Sequence, residues 1–180
     1  MNKVISSYTA IAQQLDRADW LIPTLARFLF AAILLMYYLS SGRTKLGDGF
    51  SGLWTPSVGA YAQIFPRALE AVGYDTGALG VYQRLVVLAG TWAEFILPAL
   101  IVLGLLTRLA ALGMIGFVVL QSLTDVYGLG LADEVGGWFD RFPDAIIMDQ
   151  RALWLFILIV MVIKGAGPLS FDRALKARSS

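Results

Sequence analysis

The chain has 180 residues, of which 58% are hydrophobic and 15% are charged, whereas soluble domains are about 45–50% apolar and 25% charged, so this composition favours a membrane protein. The formal net charge of +1 gives no electrostatic basis for binding nucleic acid. The chain has no cysteine and no histidine, which excludes disulfides, thiol catalysis, iron–sulfur clusters, Cys/His zinc sites and histidine-ligated haem within it.

The first 20 residues are mixed in polarity. Apolar residues recur at helical spacing at Val4, Ile5, Tyr8, Ile11, Ala12 and Leu15. This pattern predicts a short amphipathic helix that lies on the membrane surface. A frayed polar tail is the alternative.

The first predicted transmembrane span covers residues 22–41. Arg27 lies about one helical turn inside it, where it either extends to the nearer interface or turns inward toward Glu94. Two tyrosines near the end of the span, followed by Gly42 and then cations, are typical of a membrane exit. The next connection, residues 46–79, is glycine-rich, and we expect it to cap the bundle on that side.

The second and third predicted spans cover residues 81–104 and 107–127. The turn between them is so tight that the two helices must be antiparallel neighbours. Glu94 lies near the middle of the second span, where an ionisable group costs at least about 2.5–3.5 kcal/mol. We therefore expect Glu94 to face other helices rather than lipid. Gln121 is a second polar residue that we expect to be buried.

The fourth predicted span covers residues 145–164. Its clean apolar run, from Ala152 to Ile163, is too short to cross a bilayer at 1.5 Å per residue. A full span must therefore begin near Ala145, which draws Asp149 and Arg151 into the outer third of the membrane. The alternative is a short helix with local thinning of the bilayer.

These elements predict an all-α integral membrane protein. The fold is an antiparallel four-transmembrane-helix bundle in a single membrane domain, residues 1–180, with a short amphipathic N-terminal helix and capping external segments. Cations are more frequent on the side of the two termini, which predicts a multi-pass protein with both termini cytoplasmic. The opposite side is richer in acidic residues, so function outside the membrane is expected there.

A first candidate site is a buried polar group formed by Glu94, Arg27 and Gln121. Its functional interpretation is a proton-handling carboxylate next to a bound small molecule. Its structural interpretation is a buried ion pair that fixes the register of the helices.

A second candidate site lies at the outer ends of the spans. This outer-mouth cluster is formed by Arg43, Lys45, Asp125, Asp149 and Arg151. Tyr37 and Trp92 are candidate aromatic residues for a cavity below it. An aromatic-lined cleft with a few polar groups is suited to a quinone-like ring, and an ordinary interfacial aromatic belt is the alternative.

Several motifs together resemble the DoxX-like membrane proteins over nearly the whole chain. They are Leu25-Ala26-Arg27-Phe28 leading to Ser41-Gly42-Arg43-Thr44-Lys45-Leu46, the pair Ala93-Glu94, the hairpin Gly104-Leu105-Leu106-Thr107-Arg108, and the ending Gly165-Ala166-Gly167-Pro168-Leu169-Ser170-Phe171-Asp172. The stretches 125–128, 139–144 and 149–154 are also similar to the HvfX-type subgroup, which is encoded beside copper-binding, ribosomally made peptides. By resemblance, the family-pattern positions are Arg27, Lys45, Glu94, Arg108 and Asp172.

The resemblance implies a four-helix protein of the bacterial inner (cytoplasmic) membrane, from a family that is linked to membrane redox complexes. The first functional hypothesis is an accessory subunit of such a complex that binds a quinone. The alternative is a non-catalytic scaffold or assembly factor that docks a membrane or periplasmic protein partner, for example in copper-peptide maturation or in a respiratory complex. A small transporter is a third hypothesis, but four helices are few and the halves show no inverted repeat. We expect the lipid bilayer to surround the protein, and we expect no metal site in the chain. The sequence leaves open whether the chain has enzymatic activity.

Overall fold

The computed structural model describes residues 2–179. Within this range the protein is all-helical, and four helices are long and apolar enough to cross a membrane. The predicted fold class, an all-α bundle of four transmembrane helices, is confirmed. The protein is a multi-pass membrane protein.

The helices are named in chain order. They are α1 (Asn2–Arg17), α2 (Leu21–Lys45), α3 (Val58–Ile64), α4 (Pro66–Ala71), α5 (Val81–Leu103), α6 (Thr107–Gly128), α7 (Ile146–Lys164) and α8 (Phe171–Ser179). The four spans are α2, α5, α6 and α7. Three of them contain a turn of π-helix, at Ala31–Leu35, Thr124–Gly128 and Ile146–Gln150.

The four spans pack in a ring, in which α2 and α6 each contact both α5 and α7. The core between them is formed by Phe30, Leu34, Tyr38, Ile101, Ala110, Met114, Val118, Leu158 and Met161. We call the end of the bundle that carries α1 and α8 the terminal side. The opposite end, which carries residues 46–80 and 129–145, is the loop side.

The helix α2 continues through Gly42 to Lys45, four residues beyond the predicted end of the first span. Gly42 is buried, and a β-carbon there would lie 2.7 Å from the ring of Phe95. The glycine therefore allows a close approach of α2 to α5 rather than ending the helix. The continuation puts Ser41 and Lys45 one turn apart on the same face.

Residues 46–80, between α2 and α5, form a cap on the bundle. The cap packs along the first half of α5, which extends beyond the end of α2. Its small core consists of Ala60, Tyr61, Leu69, Leu79 and Val87. Trp92 of α5 also holds the cap in place, because its indole N–H donates to the carbonyl of Leu53 at 3.0 Å. The helix α3 thus takes the place of α2 beside α5 on the loop side.

Candidate functional site

A cavity of about 840 Å³ lies among the spans and reaches from the loop side into the bundle. Its lining extends from Val86 to Leu97 on α5 and from Gly113 to Asp125 on α6. At 1.5 Å per residue, these stretches make the cavity about 16–18 Å long. It ends about six residues short of the terminal-side ends of both helices.

The walls of the cavity are mainly apolar. They are formed by Ile64 of α3, by Val86, Ala89, Gly90 and Leu97 of α5, and by Gly113, Gly116, Phe117 and Leu120 of α6. Ala89, Gly116 and Leu120 are exposed although they lie within spanning helices. The cavity therefore also opens sideways between α5 and α6, toward the lipid. A β-carbon at Gly116 would meet no atom within 4 Å.

A buried ion pair lines the cavity. The Lys45 ammonium donates to both carboxylate oxygens of Glu94, at 2.9 and 3.0 Å, and to the Ser41 hydroxyl at 2.7 Å. Ser41 donates in turn to Glu94 at 3.1 Å. Lys45 is 5% exposed and Glu94 is 3% exposed. The three N–H groups of the ammonium all have acceptors, so the two charges are fully compensated within the bundle.

A second ion pair lines the same cavity nearer the loop side. Arg151, which is 4% exposed, donates to the Asp125 carboxylate and, at 2.9 Å, to the Ser122 hydroxyl. Asp125 lies in the π-helical turn of α6, and Arg151 directly follows the π-helical turn of α7. Such turns are frequent at functional sites.

Neutral hydrogen-bonding groups complete the lining. The Gln121 side-chain amide donates to the Tyr37 hydroxyl oxygen at 2.9 Å, and both residues line the cavity. The carbonyl oxygen of the Gln121 side chain is buried without a partner among the described residues. An unpaired buried acceptor costs about 1–3 kcal/mol, so this atom suits a donor on a ligand.

The structure corrects the predicted partner of Glu94. The guanidinium of Arg27 lies on the terminal side, where it donates to the carbonyls of Ile101, Val102, Ala166 and Leu169 at 2.6–3.1 Å. These include the last carbonyls of α5, which lack partners inside their own helix. Arg27 is therefore used at the end of α5, and the predicted group of Glu94, Arg27 and Gln121 does not form.

A carboxylate completes this terminal-side arrangement. Asp172 accepts from the backbone N–H groups of Leu106 and Thr107 at 2.8 and 3.0 Å, at the start of α6. Partial burial raises the pKa of Asp172, but these N–H groups and the nearby Arg27 charge outweigh it, so the pKa lies below its ordinary value of 3.8. Arg27 and Asp172 thus join the α5–α6 hairpin to the chain after α7.

The structure divides the predicted outer-mouth cluster. Asp125 and Arg151 meet as expected, but Lys45 turns inward to Glu94. The Asp149 carboxylate accepts from the Ala145 backbone N–H at 3.0 Å, and it thereby caps the start of α7. The Arg43 side chain is exposed and forms no ion pair with the described residues.

The two candidate aromatic residues also separate. Tyr37 lines the cavity and packs against Trp154, with ring centroids 5.4 Å apart. Trp92 does not line the cavity, because its indole is engaged with Leu53 and stacks near Trp54, 5.9 Å away. Trp92 therefore contacts the cap rather than the cavity, which corrects the prediction of a cavity aromatic.

The sequence did not single out two serines that hydrogen-bond to the ion pairs, Ser41 and Ser122. Ser41 lies four residues before Lys45, and this spacing puts two side chains on the same face of a helix. The spacing is informative only if the helix continues past Gly42. Ser122 gave no comparable signal, because a serine in a spanning helix usually bonds its own backbone, and Ser122 does so to Val118 at 2.8 Å.

Comparisons with protein-family models, with curated proteins and with solved structures found no match. Among the described residues, no group of three or more acidic side chains could hold a metal ion. The cavity and its two ion pairs are therefore the features of the molecule that bear on function.

Proposed function

We propose that this chain is a DoxX-like membrane protein that binds a quinone in the cavity and serves as an accessory subunit of a membrane redox complex. One observation carries the proposal: an elongated, apolar cavity inside a membrane bundle is lined by two buried ion pairs and by a neutral amide–hydroxyl pair.

The shape and lining of the cavity fit a ring with an apolar tail. A quinone ring has two carbonyl oxygens that accept hydrogen bonds, and the Tyr37 hydroxyl and the remaining N–H of the Gln121 side-chain amide can donate to them at the cavity wall. The carbonyl oxygen of the Gln121 side chain, which has no partner among the described residues, can accept from a hydroxyl of the reduced, quinol form. The apolar surfaces of α5 and α6 suit an isoprenoid tail. The sideways opening at Gly116 gives a lipid-soluble molecule a route from the bilayer.

The redox step needs a partner. Reduction of a quinone to a quinol takes two electrons and two protons, and the chain has no cysteine or histidine to ligate haem or an iron–sulfur cluster. The electrons would come from a partner subunit. Among the residues of the cavity, Lys45 carries protons that it shares with Ser41 and Glu94, so this trio is the group that would hold or pass a proton.

The test is to fill the cavity at Gly116, purify the protein gently from native membranes and quantify extracted quinones per protein. Gly116→Phe places a ring in the cavity, whereas Gly116→Ala adds one methyl group where no atom lies within 4 Å. We expect stoichiometric quinone with the wild type and Gly116→Ala, and its loss with Gly116→Phe. Equal quinone in all three proteins, or none in the wild type, would contradict the proposal.

A second candidate function, a scaffold that docks a protein partner, is favoured by the connection between α6 and α7. This segment exposes Trp138, Phe139 and Phe142. It also carries acidic residues at Asp133, Glu134, Asp140 and Asp144. If it docks a partner, exchanging these four acids for Asn or Gln should release a co-purifying protein while the bundle stays folded. A partner that is retained counts against the scaffold.

We further propose that the protein lies in the bacterial inner membrane with both termini in the cytoplasm. The lack of native cysteine allows a direct test by single substitutions at exposed positions. A membrane-impermeant maleimide should label Ser51→Cys on the loop side in intact cells, and Ala177→Cys on the terminal side only after lysis. The reverse pattern would invert the topology.

A further inference from the structure

A second cavity, of about 590 Å³, lies at the opposite end of the bundle from the quinone cavity. It is bounded by the turn that leads into α2, by the start of α6, and by the end of α7 with the chain that follows it. The ends of three spans therefore meet around it. This places the cavity at the level where the lipid headgroups of a surrounding bilayer begin.

The cavity is predominantly cationic. Its lining includes four cations, Arg108, Lys164, Arg173 and Lys176, and two acids, Asp19 and Asp172. Both acids are already engaged: Asp19 pairs with Lys164 at 2.9 Å, and Asp172 accepts from two backbone N–H groups at the start of α6. Four positive charges against two negative ones leave an excess of two positive charges.

Two of the cations remain available to a ligand. Arg108 and Arg173 are exposed and form no ion pair with any residue in the described part of the chain. The guanidinium of Arg108 lies against the turn after α7, where a β-carbon at Gly165 would be 3.5 Å from its Nε atom. Arg108 therefore lies at the edge of the cavity beside this turn, where the in-plane N–H groups of its guanidinium can bind an oxyanion with two hydrogen bonds.

Exposed apolar side chains continue from the cavity toward the bilayer. Trp20 and Leu109 line its rim and are 52% and 70% exposed, and Ile163, one residue before Lys164, is 64% exposed. A molecule bound to the cations would therefore have apolar surface beside it on α6 and α7. An anionic head with apolar chains matches this division.

We propose that this terminal-side cavity binds the phosphate headgroup of an anionic phospholipid, with Arg108 and Arg173 as its main contacts and with the acyl chains along Leu109 and Ile163. Basic pockets between spanning helices are suited to such headgroups, because each cation near an anionic lipid surface adds to the attraction. The site is independent of the quinone cavity, so either proposal can fail without the other.

The experiment compares lipids that differ only in the headgroup. The purified full-length chain in detergent receives phosphatidylglycerol, phosphatidylcholine with the same acyl chains, or inorganic phosphate. Bound lipid is counted by native mass spectrometry, and the melting midpoint is recorded. The variant Arg108→Gln/Arg173→Gln removes the proposed contacts. The matched control Arg43→Gln/Arg67→Gln removes the same charge from two exposed arginines on the loop side.

We expect phosphatidylglycerol to bind in preference to phosphatidylcholine and to raise the melting midpoint. The double variant at Arg108 and Arg173 should weaken that binding by at least about tenfold, while the loop-side control keeps it. Equal binding of the two lipids, or equal losses in the two double variants, would overturn the proposal. Equal stabilisation by inorganic phosphate would also overturn it, because the site would then bind a free anion rather than a lipid.

Discussion

At the scale of single residues, the ion pair of Lys45 and Glu94 explains how a carboxylate is held within a spanning helix. Each charge alone would be costly inside the bundle, since an isolated ion in a low-dielectric interior loses its hydration. Together with Ser41 they satisfy each other, at 2.7–3.1 Å. The pair is therefore expected to be stable only as a unit.

The unit can be tested with single and double substitutions. Glu94→Gln or Lys45→Met alone should lower the free energy of unfolding by about 3–5 kcal/mol, because each leaves an uncompensated buried charge. The double variant should recover most of that loss, as neutral replacements of a buried pair often do. Unfolding in detergent measures all three proteins. Losses that simply add in the double variant would contradict the coupling.

The double variant at Lys45 and Glu94 also distinguishes a structural role of the ion pair from a role in ligand binding. If it retains its stability but loses extracted quinone, the charges serve the ligand. If it keeps both, the pair fixes the helices and the neutral groups Gln121 and Tyr37 suffice for binding.

Asp172 predicts how stability depends on pH. Its folded pKa lies below the ordinary 3.8, so its stabilising contribution is complete above that value and is lost as the pH falls through the folded pKa. The difference in melting midpoint between wild type and Asp172→Asn should therefore be constant near neutral pH and shrink at pH values below about 4. Thermal melts from pH 7 to pH 3 measure it, and a difference independent of pH would contradict the assigned role.

At the scale of helices, glycines have opposite roles at two positions. Gly42 is pressed against Phe95, where a β-carbon would lie 2.7 Å from the ring, whereas Gly116 faces open space. Gly42→Ala should destabilise the bundle by about 1–3 kcal/mol through overpacking. Gly116→Ala should cause no loss, since alanine favours a helix by up to about 1 kcal/mol. Equal unfolding free energies for the two variants would show that α2 and α5 are not in close contact at Gly42.

The sequence predicted the existence of the spans better than their ends. Four long apolar runs are sufficient to indicate four spans, because the bilayer sets a minimum length. The end of α2 was predicted too early, since Gly42 resembles a terminator unless the neighbouring Phe95 is known. The π-helical turn before Arg151 was not predicted either, because it depends on packing between helices, and the sequence of one helix does not show that packing.

The burial of Glu94 was predictable, but its partner was not. Burial follows from the cost of exposing a charge to lipid, which needs no knowledge of neighbours. The choice between Arg27 and Lys45 depends on where the helices cross and which carbonyls remain unpaired. Arg27 donates both to carbonyls at the end of α5 and to the carbonyls of Ala166 and Leu169, and these acceptors lie around one guanidinium only when the end of α5 and the segment after α7 come together.

At the scale of the whole molecule, the cavity lies where a short helix takes the place of a spanning helix beside α5. The helix α2 ends at Lys45, the short helix α3 takes its place beside α5, and the cavity extends along α5 and α6 below this cap. The loop side thus holds an apolar cavity with polar groups, and the terminal side holds a cationic cleft. We propose a membrane-soluble ring as the ligand of the first and a lipid headgroup as the ligand of the second.

The most direct measurement is photoaffinity labelling of the protein in native membranes with an azidoquinone, followed by mapping of the labelled peptides. We expect labels within residues 86–97 of α5 and 113–121 of α6, and we expect an excess of unlabelled quinone to suppress them. Labelling that is confined to other segments, or that excess quinone does not suppress, would contradict a quinone site in this cavity.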